Sequence, residues 1–244
     1  MDRQDWEKHI HEEVAFWDEW IRTQGGAWPE DFQSRIDPQL RLPDLIENAL
    51  LNKGVAPGSS IRILDLGSGP LTSVGVASDH YDVTVTPVDP LADHYRSLLE
   101  KHRIAAPVLP QKCEAEKLDC LFQPQSFDVV WARNSLDHSY DPLLCIYQAY
   151  RVLKTGGIMI IVFHPNEADQ GNYQGLHNWN FDIRCGSFVI ESRGRLVNVS
   201  QLLGRFCKVK IPARLPRGYK SNMHVKLVKK ADAGLFDLWS SARA

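Results

Sequence analysis

The sequence predicts an α/β domain in which a parallel sheet is covered by helices on both faces. Short, continuously apolar runs of strand length lie at residues 61–66, 83–88, 127–131 and 157–163, with a weaker one near Val108. Helix-length segments fill the gaps, notably 91–103 and 142–153. The first run reads Ile63-Leu64-Asp65-Leu66-Gly67-Ser68-Gly69-Pro70, a strand that ends in an acidic residue and a turn with two glycines. A turn of this kind is expected to leave backbone N–H groups unpaired and to let a ligand approach the main chain closely.

Element by element, residues 5–23 read as an amphipathic helix, because Trp6, Ile10, Val14, Trp17 and Ile21 recur at three- and four-residue steps. Gly25-Gly26 ends it. A second helix is expected over 38–53, with Asp37 as its cap and Pro38 in its first turn. Residues 54–60, with Pro57-Gly58, form a turn. The alternation of strand and helix then runs to His164 and breaks. Residues 165–185 are polar and hold Gly171, Gly175 and several aromatics, the composition of a functional loop. Runs at 188–191 and 196–199 flank Ser192-Arg193-Gly194-Arg195 and read as a hairpin. A short helix through 201–203 precedes strands near 206–211 and 225–228. The expected organisation is therefore a helical cap (1–58) and a main domain (59–244), with a substrate loop (164–186) and a hairpin (187–199).

Composition narrows the class. With 244 residues, 43% hydrophobic and 24% charged, the chain falls among ordinary globular proteins. No apolar stretch approaches the roughly 18–20 residues of a membrane span. The start, Met1-Asp2-Arg3-Gln4-Asp5-Trp6, lacks the apolar core of a secretion signal. Five cysteines without a CxxC pair suit free thiols in a reducing compartment, so a cytoplasmic location is expected. Net charge is −2, yet residues 193–230 carry 11 Lys/Arg and no acid, against 16 Lys/Arg and 28 Asp/Glu over 1–192. That basic segment either meets an anionic substrate or forms a solvated face.

The glycine turn lacks the third glycine of the dinucleotide fingerprint, since Thr72 stands at that position. Asp65 can accept hydrogen bonds from a polar or ammonium-bearing ligand. Asp89 closes the next strand 20 residues past Gly69, where a carboxylate either bridges ribose hydroxyls or starts a turn before Pro90.

The ordered set ILDLGSGP (63–70), VTPVDP (85–90), CEAEKLD (113–119), FDVVWARNSLDH (127–138) and RVLKTGGIMIIVFH (151–164) resembles class I S-adenosylmethionine-dependent methyltransferases. The resemblance spans residues 60–165 and is nearest to the small-molecule branch that includes ubiquinone and menaquinone biosynthesis enzymes. It implies a Rossmann-like, doubly wound sheet of about seven strands, with a helical lid and a hairpin inserted after the fifth strand. It also implies S-adenosylmethionine as cofactor. Asp65, Gly67, Ser68 and Gly69 would lie on its methionine side, with Asp89 and Pro90 at the ribose. Glu114 and Ala115 would meet the adenine, and Asn134 and Ser135 would floor the site. The chain departs from the family at Pro70-Leu71, which replaces a G-x-G continuation, and at Glu114, where Asp is usual.

Methyl transfer from a sulfonium asks the protein for positioning, desolvation and sometimes a base. His138, after the fourth strand, and His164, at the end of the fifth, are the candidate bases. Glu167, Tyr173, His177, Trp179 and Asn180 form the expected acceptor wall; flat aromatics beside hydrogen-bonding groups suit a sugar-like ligand, though the loop can equally fold on its own aromatics. Arg35, under a lid of Trp17, Trp20, Trp28 and Phe32, either reaches a carboxylate or anion or forms a surface salt bridge. His138, His164, Glu167, Asp169 and His177 are scattered candidates for a divalent metal but match no metal motif, so none is assigned and the metal requirement stays open. The leading expectation is O-methylation of a small, anionic or saccharide-like acceptor. Alternatives are N-methylation, RNA methylation favoured by the basic segment, and a non-catalytic binding subunit. No RNA-binding module or membrane segment is recognisable, and the oligomeric state stays open.

Overall fold

A computed structural model describes residues 1–212 and 222–230. Part of the basic segment, 213–221, thus lies outside the described residues. The chain begins with four helices: α1 (Arg3–His9), α2 (Glu12–Arg22), α3 (Pro29–Ile36) and α4 (Asp44–Leu51). There follow β1 (Ser60–Leu66), β2 (Asp82–Asp89), α5 (Ala92–His102), β3 (Gln111–Lys112) and β4 (Phe127–Arg133). Next come α6 (Pro142–Val152), β5 (Leu153–Phe163), α7 (Glu167–Gln170), β6 (Asn180–Arg184), β7 (Ser187–Ser192) and β8 (Arg195–Asn198). The described chain closes with α8 (Val199–Leu203), β9 (Cys207–Lys210) and β10 (Met223–Lys229). No described helix is long and apolar enough to cross a membrane.

The main sheet has seven strands in the order β3-β2-β1-β4-β5-β10-β9. The first five run parallel, and β10 is antiparallel to both β5 and β9. Its central strands carry runs of consecutive apolar residues (Ile63-Leu64, Val129–Ala132, Ile158–Phe163) because both faces are covered. Ile61, Ile63, Val129, Trp131, Ile158 and Ile160 pack under Ile46 and Leu50 of α4. The alternate positions, including Leu64, Val130, Met159 and Ile161, pack against Ile146 and Ala149 of α6. The sequence starts α6 cleanly: Asp141 caps the Leu144 N–H, and Pro142 occupies the first turn.

Several expectations need correction. The helix read over 5–23 is two helices, joined at Ile10-His11 by i−3 bonds from Glu13 to Ile10 and from Val14 to His11. The break lets Trp6 bury itself and donate its indole N–H to the His138 carbonyl, 2.9 Å away. The second expected helix starts only at Asp44, and α3 precedes it. Residues ahead of Asp44 run beside the loop after β1 instead, with Leu42 bonded to the Ala77 carbonyl and Ala77 to the Leu40 carbonyl.

That pairing also explains why no helix fills the β1–β2 gap, where alternation would place one. Pro70, three glycines and β-branched Thr72, Val74 and Val76 make residues 67–81 poor helix formers. A Cβ on Gly75 would fall onto the Leu40 carbonyl oxygen. The strand expected near Val108 is only the two-residue β3. The expected loop 164–186 holds α7 and β6, and β6 joins the hairpin strands in a three-stranded antiparallel sheet, β6-β7-β8. Phe181, Phe188 and Ile190 of this small sheet bury against the same core as α6.

Gly75→Ala should therefore cost about 1–3 kcal/mol through backbone displacement, read as a lowered urea midpoint. An unchanged midpoint would mean that the loop does not pass this close to Leu40.

Candidate active site

The carboxyl ends of β1, β2 and β4 stop together, and the loops that follow them make the first half of the site. Gly67 and Gly69 adopt φ of +64° and +65°. A Cβ on Gly67 would lie 2.5 Å from the Ser135 Cβ, and one on Gly69 would lie 2.8 Å from the Trp17 ring. Both positions thus demand glycine on conformation and on space. The N–H groups of this turn are not free, contrary to expectation. Those of Gly67 and Ser68 go to the Val88 carbonyl, and that of Gly69 goes to Asp89 Oδ2 at 3.0 Å. The Asp89 Oδ1 accepts the Leu91 N–H at 2.9 Å, so one carboxylate ties the β1 and β2 loops together. Burial pushes the Asp89 carboxyl up to about 7.

Gly67, Gly69, Asp89, Pro90, Ala115, Asn134 and Ser135 line a narrow cleft of about 90 Å³ with Glu116. Trp6 of α1, Ile10 at the helix junction and Trp17 of α2 wall it in on the other side. Glu114 is not among its lining residues. Its carboxylate is held by Arg3 at 2.9 Å, Lys117 at 2.8 Å and the Tyr140 hydroxyl at 3.1 Å, and against burial these donors pull it down to about 2. Glu116, which sequence reasoning passed over, is buried in the cleft wall and accepts the Tyr140 and Asp141 N–H groups. Burial raises its carboxyl to about 7. Ser135 donates to the Leu66 carbonyl, while the buried Asn134 Oδ1 has no partner.

A second chamber of about 720 Å³ shares Glu13, Trp17, Gly67, Asn134 and His138 with the cleft. Asp65 and Ser68 open onto this chamber rather than onto the cleft. Asp65, 2% exposed, accepts the Thr72 hydroxyl at 2.6 Å, and Thr72 Oγ1 accepts the Val74 N–H. Thr72 thus clamps the loop where a third glycine was sought. Burial holds the Asp65 carboxyl up at about 6. Arg35 binds the Leu71 carbonyl at 3.0 Å and Asp31 at 2.8 Å, and its guanidinium lies 5.5 Å from the Trp20 ring. Its Nε is buried without a partner. Arg133 reaches the same Asp31 at 3.4 Å.

Of the expected acceptor wall, Glu167, His177 and Arg35 line the chamber with His164. Tyr173, Trp179 and Asn180 do not. Tyr173 donates to Asp169, Asn180 donates to the Tyr173 hydroxyl, and the Trp179 indole donates to the Ser139 carbonyl. These three hold the loop in place.

The histidines divide into two kinds. His138 sits between carboxylates, with Nδ1 3.4 Å from Glu13 and Nε2 3.4 Å from Asp137. Burial opposes its charge, yet Asp137, Glu13 and Glu167 raise the imidazole to about 10. His177 stands edge-on to it at 4.7 Å, and burial lowers His177. His164 is likewise lowered by burial, and its Nδ1 is unpaired. Burial and the adjacent Asp137 raise the Glu167 carboxyl to about 9. Glu13, Arg133 and Asp137 were missed in the sequence. Asp137 carried a usable signal as the neighbour of His138, whereas Glu13 looked like any acid on the polar face of a helix.

Comparison with known proteins agrees with this geometry. Residues 64–161 match the family model described as a methyltransferase domain. A Thermotoga maritima S-adenosylmethionine-dependent methyltransferase, described as a possible histamine N-methyltransferase, aligns with a TM-score of 0.50 at 17% identity. That alignment covers 91% of this chain and 99% of the other. Phosphoethanolamine N-methyltransferase 2 of Haemonchus contortus, solved with phosphomonomethylethanolamine and S-adenosylhomocysteine, aligns with a TM-score of 0.51 at 18% identity. It covers 87% of this chain and 57% of the other. No curated protein matches the chain by sequence. The sheet, the glycine cradle and the matched domain define a nucleotide-type cofactor enzyme of the transferase class. Residues 64–161 carry a methyltransferase domain, and the fold around it is shared with S-adenosylmethionine-dependent methyltransferases.

The residues present fit that cofactor. The buried Asn134 Oδ1 and Arg35 Nε have no hydrogen-bond partner within the protein and offer polar groups to a ligand at the two cavities.

Two measurements test this electrostatic layout. The raised Asp65 carboxyl keeps a proton that the unfolded chain releases near pH 4. Its contribution to stability is fully present below that pH and is lost as pH rises through about 6. Asp65→Asn should remove a pH-dependent loss on the order of 3 kcal/mol, seen as a flatter dependence of urea stability between pH 4 and 7. Asp89→Ala leaves two buried N–H groups without an acceptor. It should lower stability by about 1–3 kcal/mol and weaken S-adenosylhomocysteine binding in calorimetry; retained affinity would remove Asp89 from the cofactor site.

Proposed function

We propose that the chain methylates an oxygen of a small polar acceptor of saccharide type. The observation that carries this reading is the larger chamber. It opens from the same Gly67, Asn134 and His138 wall as the cofactor cleft, and it sets the indoles of Trp17, Trp20 and Trp28 against Gln170, His164 and Glu167. Flat apolar faces suit the C–H side of a sugar ring, while the polar groups read its hydroxyls.

In this reading Asp89 and Pro90 hold the ribose, Ala115 and Glu116 border the adenine, and Ser135 supports the floor. Gly67, Ser68 and Gly69 border the methionyl end, with Arg35 beside its carboxylate. When bound there, S-adenosylmethionine supplies a sulfonium methyl group open to in-line displacement. The cleft is well below the roughly 300–1,000 Å³ of a typical ligand site, so α1 and α2 act as a lid and Trp17 moves off Gly69 on loading. His164 takes the acceptor proton, because its Nδ1 is unpaired and borders the chamber while both His138 nitrogens face carboxylates.

An amine acceptor is the second reading. The carboxylates of Glu13, Asp31 and Glu167 lie in the same chamber as the three indole faces, and that combination also attracts an ammonium group. Transfer of a labelled methyl group to panels of saccharides and of amines separates the two, and product only from amines would overturn O-methylation. In the same assay His164→Gln should lower turnover by about 10²-fold or more with S-adenosylhomocysteine affinity unchanged. Equal turnover would remove the base role from His164.

A further inference from the structure

Sequence spacing alone left the histidines and acids around the fifth strand as scattered candidates without a metal motif. Folding brings three of them, His138, Glu167 and His177, together with Asp137, which the sequence reading missed. Asp137 and His138 come from the 3₁₀ turn after β4, Glu167 is the first residue of α7, and His177 lies in the turn before β6. One ligand atom from each lies within 4.8 Å of all the others. Tetrahedral donors about 2.1 Å from one ion sit roughly 3.4 Å apart, so side-chain adjustments that draw the widest pair in by about an ångström or slightly more would close the set.

Three features of the cluster point to a cation. Asp137 is only 3% exposed and shares a proton contact with the Glu167 carboxyl, while its Oδ2, 3.4 Å from His138 Nε2, has no hydrogen-bond partner. The His138 ring stands near it at 3.4 Å, beyond ordinary hydrogen-bond length, so this buried carboxylate oxygen is left without a close donor. The His177 Nδ1 is likewise buried and unpaired. Finally, His138 directs Nε2 into the cluster and Nδ1 outward to Glu13 Oε1 at 3.4 Å. A carboxylate on the far nitrogen is the arrangement that orients metal-binding imidazoles. Three carboxylates thus converge on the His138 ring, with no Lys or Arg paired to Asp137, Glu167 or Glu13 among the described ion pairs.

We propose that Asp137, His138, Glu167 and His177 bind one divalent first-row transition ion, with Glu13 orienting His138. Two imidazoles and two carboxylates suit Mn²⁺, Fe²⁺ or Zn²⁺ better than Mg²⁺ or Ca²⁺, which favour oxygen-only shells. The site borders both cavities at His138, and Glu167 and His177 face the larger one. Its ion would therefore polarise an acceptor hydroxyl beside the cofactor and ease loss of the proton to His164. This role rests on the O-methylation reading; the binding itself does not.

The test uses the full chain freed of metal by a chelator, without cofactor, titrated with Mn²⁺ and with Zn²⁺ in calorimetry. Wild type should take up one ion per chain with saturation. His177→Gln and Asp137→Asn should each weaken uptake at least about tenfold, with circular dichroism and S-adenosylhomocysteine binding retained. Should Asp137→Asn fail to fold, the half-buried His177→Gln carries the comparison. Absence of saturable uptake, or equal affinity in the variants, would overturn the site. If uptake holds but turnover on a saccharide acceptor is the same with and without the ion, the activating role falls while the site stands. Methylation of amines alone would instead overturn the O-methylation reading and leave the measured binding untouched.

Discussion

Burial of β1, β4 and β5 on both faces is the constraint from which the rest of the structure follows. Because α4 covers one face and α6 with the small sheet covers the other, these strands have no solvent-facing side on which to slip in register. Their carboxyl ends are consequently held at one level. The loops after them, carrying Gly67, Asn134 with Ser135, and His164, are brought to a common edge. A displacement of any one strand by a residue would turn its apolar set outward and scatter these groups.

The second organising principle is how buried carboxyl groups are satisfied. Asp65 and Asp89 are both nearly inaccessible, and each serves as a local tie: Asp65 to Thr72, Asp89 to the Gly69 and Leu91 N–H groups. Burial raises both carboxyls well above the usual range. Their positions at strand ends make them part of the loop architecture as well as candidates for ligand contact. Asp137 differs, because its partners are the Glu167 carboxyl and a long 3.4 Å contact from His138 Nε2 to Oδ2 rather than a hydroxyl or backbone donor. That contrast, between acids tied to hydroxyl or backbone donors and an acid facing two imidazoles and a second carboxylate, sets the junction of the two cavities apart.

The N-terminal helices matter through shape rather than through a motif. Trp6 anchors α1 to the His138 carbonyl, and the break at Ile10-His11 redirects α2 so that Trp17 rests over Gly69. Arg35 of α3 then fills the space between the Trp17 and Trp20 rings and the loop after β1. A lid built of large aromatics therefore covers a cradle built of glycines.

The α/β class, the parallel strands and the glycine turn were legible from local pattern, since apolar runs and turn residues act over a few positions. Asp65, Gly67, Asp89, Asn134 and Ser135 were likewise visible as strand-end residues, and all of them border the two cavities. Only the tertiary structure decided what those residues face. It turned Glu114 outward to Arg3 and Lys117, committed Tyr173, Trp179 and Asn180 to holding their own loop, and replaced an expected helix with a loop braced on Leu40. It also drew Glu13, Asp137, His138, Glu167 and His177 into one cluster from four separate stretches of chain. Their convergence depends on long-range packing of α2, the turn after β4 and α7, and no local periodicity records distances between such segments.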